Sequence, residues 1–522
     1  MTVTDELLIR SGPIHVFDDE RTVADAALFR GGRVAAVGST SDVERAASEP
    51  RMLDLEGRPL LPGFNDAHAH LLSVGVDRLQ ADLEAATTRD EALSLLAEAA
   101  DETESGRWVV GHNYDESTWP ESDRRLLTRD DLDTVSEDHP IAAVRIEGHT
   151  AAANSPALER LDLAGLERDV RTDGTGTPTG VLVEDAAGAI KRATHPTGER
   201  AREALSLAID RAHELGLTSV QTVAGLTQPT DDGTPLIRAL FAAWREGTLD
   251  LRVTAYLHAN RGEALSELEL PPGFGDDRLR IGGHKTFSDG SIGAGTAQIY
   301  ESYASGEGGG EWVMDLERLE TIFAAAAAAD QQVATHALGG RAVDEILDRY
   351  EAVLDGYAVD PRLRLEHVEL ATDEALERMA ELGIVASMQP NFLQWDGDGG
   401  AYETALEPSR RGENNRFRDV LDAGVPLAFG SDTMPMGPLY GIHHAVNAES
   451  EHQRLSVDEA VTAYTRGAAH AEHVEDRKGT LEPGMLADAV VLEDDPFEHP
   501  SAIADIGVEK TIVGGSVVYE RD

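Results

Sequence analysis

The 522-residue chain contains no cysteine. Disulfides, thiolate metal sites and cysteine nucleophiles are therefore excluded, and any metal has to be held by His, Asp, Glu or a modified Lys. No run approaches the ~20 apolar residues of a membrane span, and Met1 to Glu6 lack the basic-then-apolar order of a secretory signal. Cytoplasm is the expected compartment, and no membrane partner is expected. Positive charge is also scarce: 45 Lys and Arg stand against 96 Asp and Glu, a formal net charge of −51. Phosphate binding needs a basic face, so nucleic acid is not an expected partner. The acidic residues are spread along the chain and fit a solvated surface suited to high salt, where the Debye length shortens to about 3 Å at 1 M. Capture of cations is the alternative reading of that charge. Lysine occurs at positions 191, 285, 478 and 510 and nowhere else.

What is present is apolar material, 41% of the residues, enough for one large domain and a smaller companion. Short strand-like runs separated by Gly-rich turns occupy residues 1–59 and recur in 476–522. They predict one small β-sandwich domain built from both termini. Between them, residues 60–475 alternate strand-like runs with Ala/Glu/Arg-rich helical stretches, the pattern of βα units. Candidate strands are 60–66, 140–148, 218–225, 251–259, 279–287, 332–338, 363–369, 383–390 and 425–432. A (β/α)8 TIM barrel takes eight. The long gap after the first run makes 140–148 the surplus, inside an insertion over about 72–212 that is expected to cover the barrel mouth. Segments 305–310 and 396–400 read as Gly-rich loops.

Donor residues sit at the ends of successive apolar runs: His68 and His70, Lys285, His336, His367 and Asp432. On an extended strand, residues i and i+2 point the same way, so His68 and His70 can reach one ion. Asp432 ends Phe429-Gly430-Ser431, where a carboxylate can bind metal and accept a proton from water, or simply cap a helix. His336 and His367 taken alone are ordinary histidines; their order with the others makes them ligand candidates. Lys285 is a lysine kept at a strand end in a chain that has nearly abandoned lysine. Desolvation lowers an amine's pKa, and a neutral amine can add carbon dioxide to become a carbamate able to bridge two metals. A plain amine beside a single metal is the other reading.

The order His68-x-His70, Lys285, His336, His367, Asp432 resembles that of the amidohydrolase superfamily. The stretches Lys285-Thr-Phe-Ser-Asp289-Gly290, Glu366-His367, Ala386-Ser387-Met388-Gln389-Pro390, Gly430-Ser431-Asp432 and Leu481-Glu-Pro-Gly484 resemble the family 3 branch, which includes N-substituted formamide deformylases. The acidic, lysine-poor composition resembles that of proteins from salt-in halophiles. The family resemblance implies one or two divalent metals, zinc most often, and hydrolysis of a small amide-like substrate at a non-peptide C–N bond. It implies that His68 and His70 bind one ion with Asp432, that His336 and His367 bind a second, and that Asp432 is the catalytic proton carrier. His149, in a segment like the branch's His…Asn-Ser stretch, and Trp119, in a lid-like stretch, are expected substrate contacts, as are Asp289 and Gln389; a turn support, an aromatic anchor and an Asp-Gly turn are the alternatives for His149, Trp119 and Asp289. Ala152 stands where the branch commonly has an aromatic, which bears on substrate shape. Three other functions are weighed. A single-metal deaminase would carry a carboxylate soon after the strand-five histidine, but Ala337-Leu338-Gly339-Gly340 follow His336. A non-catalytic scaffold would have lost ligands, and none is lost; a cation-binding surface protein leaves the ligand order unexplained. Self-association through a barrel face remains open.

Overall fold

Gly63 divides the first apolar run in two. Leu60–Pro62 pairs antiparallel with Ala489–Val491, while Phe64–Ala69 pairs parallel with Leu217–Ala224. The Gly63 N–H donates to Asp488 O at 3.0 Å, and a Cβ at this position would stand 2.3 Å from the Thr218 side chain. The single strand expected over 60–66 is thus two strands in different sheets, because only glycine permits that close passage.

In the computed structural model, which describes residues 6–225, 234–258, 264–306, 308–397, 399–407, 410 and 412–521, the chain falls into two units. One is Leu72–Ala208; the other comprises the segments on either side of it. The second of these holds an eight-stranded parallel barrel: β1 Phe64–Ala69, β2 Leu217–Ala224, β3 Arg252–His258, β4 Leu279–Phe287, β5 Gln332–Ala337, β6 Arg364–His367, β7 Val385–Met388 and β8 Leu427–Phe429. Neighbours follow chain order from β1 to β8. Beyond β8 the chain is tied back to β1 by the Asp432 N–H to His68 O, 2.8 Å, and the Ser431 N–H to Asp66 Oδ1, 3.0 Å. The strands are buried almost throughout, as parallel strands covered on both faces must be. Helix Pro235–Glu246 lies between β2 and β3, and helices Leu316–Ala328, Gly340–Leu354 and Asp373–Leu382 separate β4, β5, β6 and β7. Asp315 and Thr372 cap the second and fourth of these, accepting their first free N–H groups.

Side chains two apart on each strand share the barrel interior. Near the first residues of β1, β2 and β3, buried Glu472 accepts from Asn65 Nδ2 (2.8 Å), Lys478 Nζ (2.7 Å) and Thr254 Oγ1, and Lys478 also donates to Ser219. This network closes the end opposite the candidate ligands. The terminal strands Glu6–His15, Val23–Arg30, Arg33–Gly38, Arg51–Asp54, Leu60–Pro62, Ala489–Leu492, Val508–Val513 and Ser516–Glu520 form one hydrogen-bonded sheet. The two ends of the chain share its core, where Ile9, Ile14 and Phe29 meet Leu481, Val491 and Ile512. The strands of the expected β-sandwich are joined in one hydrogen-bonded network, whose first strand is bulged between Arg10 and Ile14.

Unit Leu72–Ala208 contains its own six-stranded mixed sheet, in the order 170–172, 178–183, 150–153, 141–145, 109–114, 81–82. The surplus run lies here: Ile141–Arg145 pairs parallel with Val109–Tyr114 and antiparallel with Thr150–Ala153. Of the expected loops and strand ends, Glu307, Asp398 and Ala259 lie outside the described residues. No helix among the described residues is long and apolar enough to cross a membrane.

Candidate metal centre

Five strands bring the predicted donors to one end of the barrel. His68 is the next-to-last residue of β1 and His70 follows the strand; Lys285 is on β4, His336 on β5, His367 on β6, and Asp432 lies three residues beyond β8. Asp432 Oδ1 is 3.0 Å from His70 Nε2 and 3.5 Å from His68 Nε2. The His68 and His367 rings are 5.0 Å apart, and those of His336 and His367 are 4.5 Å apart. One ligand atom each from His68, His367 and Asp432 lies within 4.8 Å of the others.

Strand alternation alone would not assemble this set. Arg364 and Glu366 face the interior, so His367 would face away. The backbone at His367 is left-handed, φ 78°, and that at Asp432 is also left-handed, φ 50°. Non-glycine residues seldom adopt this region, and here it re-aims the last side chain of β6 and the carboxylate after β8.

Three of the four imidazoles, those of His68, His336 and His367, are oriented by a partner on the far nitrogen. His68 Nδ1 is 2.5 Å from Glu366 Oε2, which leaves Nε2 toward Asp432. His367 Nδ1 donates to Gln389 Oε1 at 2.7 Å, and His336 Nε2 donates to Gly290 O at 3.0 Å, which leaves its Nδ1 toward the cluster. Glu366 is in turn held by Arg364, whose Nε and Nη2 are 3.0 and 2.9 Å from Oε1. Asp66 joins β1 to the chain after β8 by accepting from the Ser431 and His68 N–H groups and from the Ser431 hydroxyl; burial pushes its carboxyl up to about 7.

Electrostatics prepares the cluster for a cation. Burial, then Lys285, pushes His336 down to about 3. Burial, then its neighbours His336 and His68, push His367 well below the usual imidazole range. Burial alone would raise Asp432, but His68, His70 and Lys285 outweigh it and hold the carboxyl at about 2. Neutral imidazoles beside an ionised carboxylate are the protonation states a metal requires. Burial also lowers Lys285 to about 8 against the opposing pull of Glu366 and Asp432. Lys285 Nζ is buried with no hydrogen-bond partner, and buried Asp432 Oδ1 has only the nearby His70 and His68 imidazoles facing it. Buried polar atoms are rarely left so, and an ion among them satisfies both the geometry and the donor types.

The four expected substrate contacts are placed differently. Trp119 is 1% exposed in the core of unit Leu72–Ala208, 6.0 Å from Tyr114, and its Nε1 donates to Ala86 O at 2.9 Å. It is an anchor, not a substrate wall, because both its ring and its N–H are consumed internally. Asp289 is also fully engaged: its oxygens accept the N–H groups of Gln298, Leu338 and Gly339 and the Ser288 hydroxyl. It fastens the segment after β4 to that after β5 and does not offer an atom to a ligand. Gln389, fully buried, supports His367 instead of lining a pocket. His149 is solvent-exposed, with Nδ1 3.1 Å from Glu184 Oε2. Three supporting roles escaped the sequence reading, those of Arg364, His258 and Glu366, the last noted only as the residue before His367. His258 ends β3, and its ring stacks 5.3 Å from Phe287, itself 5.3 Å from His336. Alternation along Arg252, Thr254, Tyr256 and His258 was the available signal, since each second residue points inward.

Histidines, a buried lysine and a terminal aspartate around the mouth of a parallel barrel define a metal-dependent hydrolase class. Residues 51–519 match the model of the amidohydrolase family, and the chain belongs to that family. It is 30% identical to the protein LONG AFTER FAR-RED 3 of Arabidopsis thaliana over 99% of this chain and 92% of the other. It is 29% identical to the N-substituted formamide deformylase of Arthrobacter pascens over 100% of this chain and 99% of that one. Among solved structures, an uncharacterized metal-dependent hydrolase from Pyrococcus furiosus superposes with a TM-score of 0.79 at 28% identity, covering 94% of this chain and all of that one. Atrazine chlorohydrolase TrzN from Arthrobacter aurescens, solved with zinc, shares the fold with a TM-score of 0.57 at 17% identity, covering 98% of this chain and 95% of that one.

Proposed function

We propose that this hydrolase cleaves a non-peptide, amide-like C–N bond in a small molecule, with His68, His70, Lys285, His336, His367 and Asp432 holding one or two zinc-type ions. The observation that carries the reading is the buried, unpartnered Lys285 Nζ together with the buried Asp432 carboxylate, which faces only imidazoles, beside three oriented histidine rings. Likeness to a formamide deformylase along the whole chain supports the choice of bond.

When bound, a divalent metal supplies a Lewis acid and a water of lowered pKa, from 15.7 toward ~7. Asp432, ionised at neutral pH, takes a proton on Oδ1 from the attacking water and returns it to the leaving nitrogen. Glu366 keeps the proton of His68 on Nδ1, and Gln389 does the same for His367, so that both Nε2 atoms remain available as ligands. The Lys285 amine, lowered to about 8, carries enough neutral form to attack carbon dioxide. Its nitrogen forms the new N–C bond, loses a proton to solvent and becomes an anionic carbamate suited to sit between two cations.

The test is metal quantification on purified full-length protein, followed by a screen of N-formyl and N-acyl amides with the restored ion. Stoichiometric metal and release of formate or another carboxylate are expected. Protein that binds no metal and hydrolyses none of these after metal is restored would instead be a scaffold.

A further inference from the structure

Unit Leu72–Ala208 contains a cavity that this chemistry does not use. It has a volume of about 170 Å³, opens to solvent, and is lined by Arg107, Arg200, His195, Trp108, Leu79 and Pro196, among others. None of its lining residues is Asp or Glu. That is an unusual local composition in a chain whose acidic residues outnumber Lys and Arg 96 to 45.

The two guanidinium groups are not tied up. Arg107 Nε is 3.6 Å from Glu104 Oε2, and Arg200 Nη1 is 3.6 Å from Glu203 Oε2; both are loose surface pairs of the kind that contribute little. Both therefore retain donors for an incoming anion. Arg200 also brings the first turn of the 17-residue helix Gly198–Glu214 to the wall, adding the partial positive charge of a helix start. Trp108, Leu79 and Pro196 supply an apolar surface beside these charges.

We propose that this cavity is a binding site for a small organic carboxylate with an apolar or aromatic body. Arg107 and Arg200 take the carboxylate through their planar donor pairs, and Trp108 with Leu79 and Pro196 takes the body. The site is independent of the metal centre and of the reaction assigned to it.

Calorimetric titration of the full-length, metal-loaded protein tests this, with benzoate as the probe and benzyl alcohol as its uncharged counterpart. Saturable benzoate binding is expected, with benzyl alcohol weaker by on the order of tenfold or more. The double variant Arg107→Gln/Arg200→Gln should weaken benzoate by a similar factor while keeping its metal content. Equal affinity for the two probes overturns the proposal, as does the absence of saturable benzoate binding. Benzoate held at the metal centre would survive the double substitution, and such survival overturns it too. If the double variant proves unfolded by circular dichroism, Arg200→Gln alone is titrated and read in the same way.

Discussion

Glu366→Gln tests the support beneath the metal centre. Glu366 and Arg364 are 1% and 2% exposed at the side chain, with Arg364 Nη2 2.9 Å and Nε 3.0 Å from the carboxylate. Two unit charges about 3 Å apart interact by about 5 kcal/mol at an effective dielectric of about 20. The glutamine oxygen restores a hydrogen bond from the charged guanidinium of about 1.5–2 kcal/mol, and Arg364 keeps Gln221, Tyr256, Ser387 and the Ala67 carbonyl. The net loss is then about 3–4 kcal/mol, within the range for removing one partner of a buried pair. The same substitution takes the carboxylate from His68 Nδ1, so metal affinity should fall about 10- to 100-fold. Urea unfolding of the metal-free protein reads the first quantity, and chelator competition reads the second. An unchanged midpoint together with unchanged affinity would refute both the pairing and its role in orienting His68.

Asp432→Asn should retain metal yet lose about 10²- to 10⁴-fold in turnover, since it removes the proton acceptor; single-turnover kinetics with wild-type rates would rule that role out. Protein equilibrated with ¹³C-bicarbonate should show a carbamate carbon signal that Lys285→Arg lacks, because a guanidinium does not form this adduct; identical spectra would dismiss the carbamate. Asp289→Asn sets an amide NH2 against backbone N–H donors at Gln298, Leu338 and Gly339 and should cost about 2–3 kcal/mol in urea unfolding. Burial would raise Glu459, but hydrogen bonds from Arg418 and Ser456 outweigh it and hold the carboxyl at about 2, below the ordinary 4.5. A depressed folded-state pKa stabilises above 4.5 and loses that contribution as pH falls toward 2. Glu459→Gln should therefore flatten the acid limb of the stability profile in that window, and a profile parallel to wild type would contradict the pairing.

The barrel and its ligand order were legible because they follow from local chemistry. Parallel strands buried on both faces must be apolar runs, and a donor at the end of such a run is conspicuous. Glu366 was legible as a residue but not as a partner, since its contact with His68 spans 298 positions. The split at Gly63 was hidden because two adjacent short strands and one long strand share the same residue types. Trp119 and Asp289 each allowed two readings for a related reason: an aromatic or an Asp-Gly pair near a motif looks alike whether its atoms face a ligand or are satisfied by the chain's own backbone.

Sequence by itself determined which chemistry is available: no thiol, a barrel's worth of buried strands, four histidines, a lysine and an aspartate in a set order. Tertiary structure alone decided where those groups point. The left-handed backbone at His367 and Asp432, and the partners that orient His68, His336 and His367, depend on contacts between strands far apart in the chain. Residue type and spacing set the donor atoms, whereas direction and protonation state arise from burial and from neighbours that only closure of the barrel brings within reach.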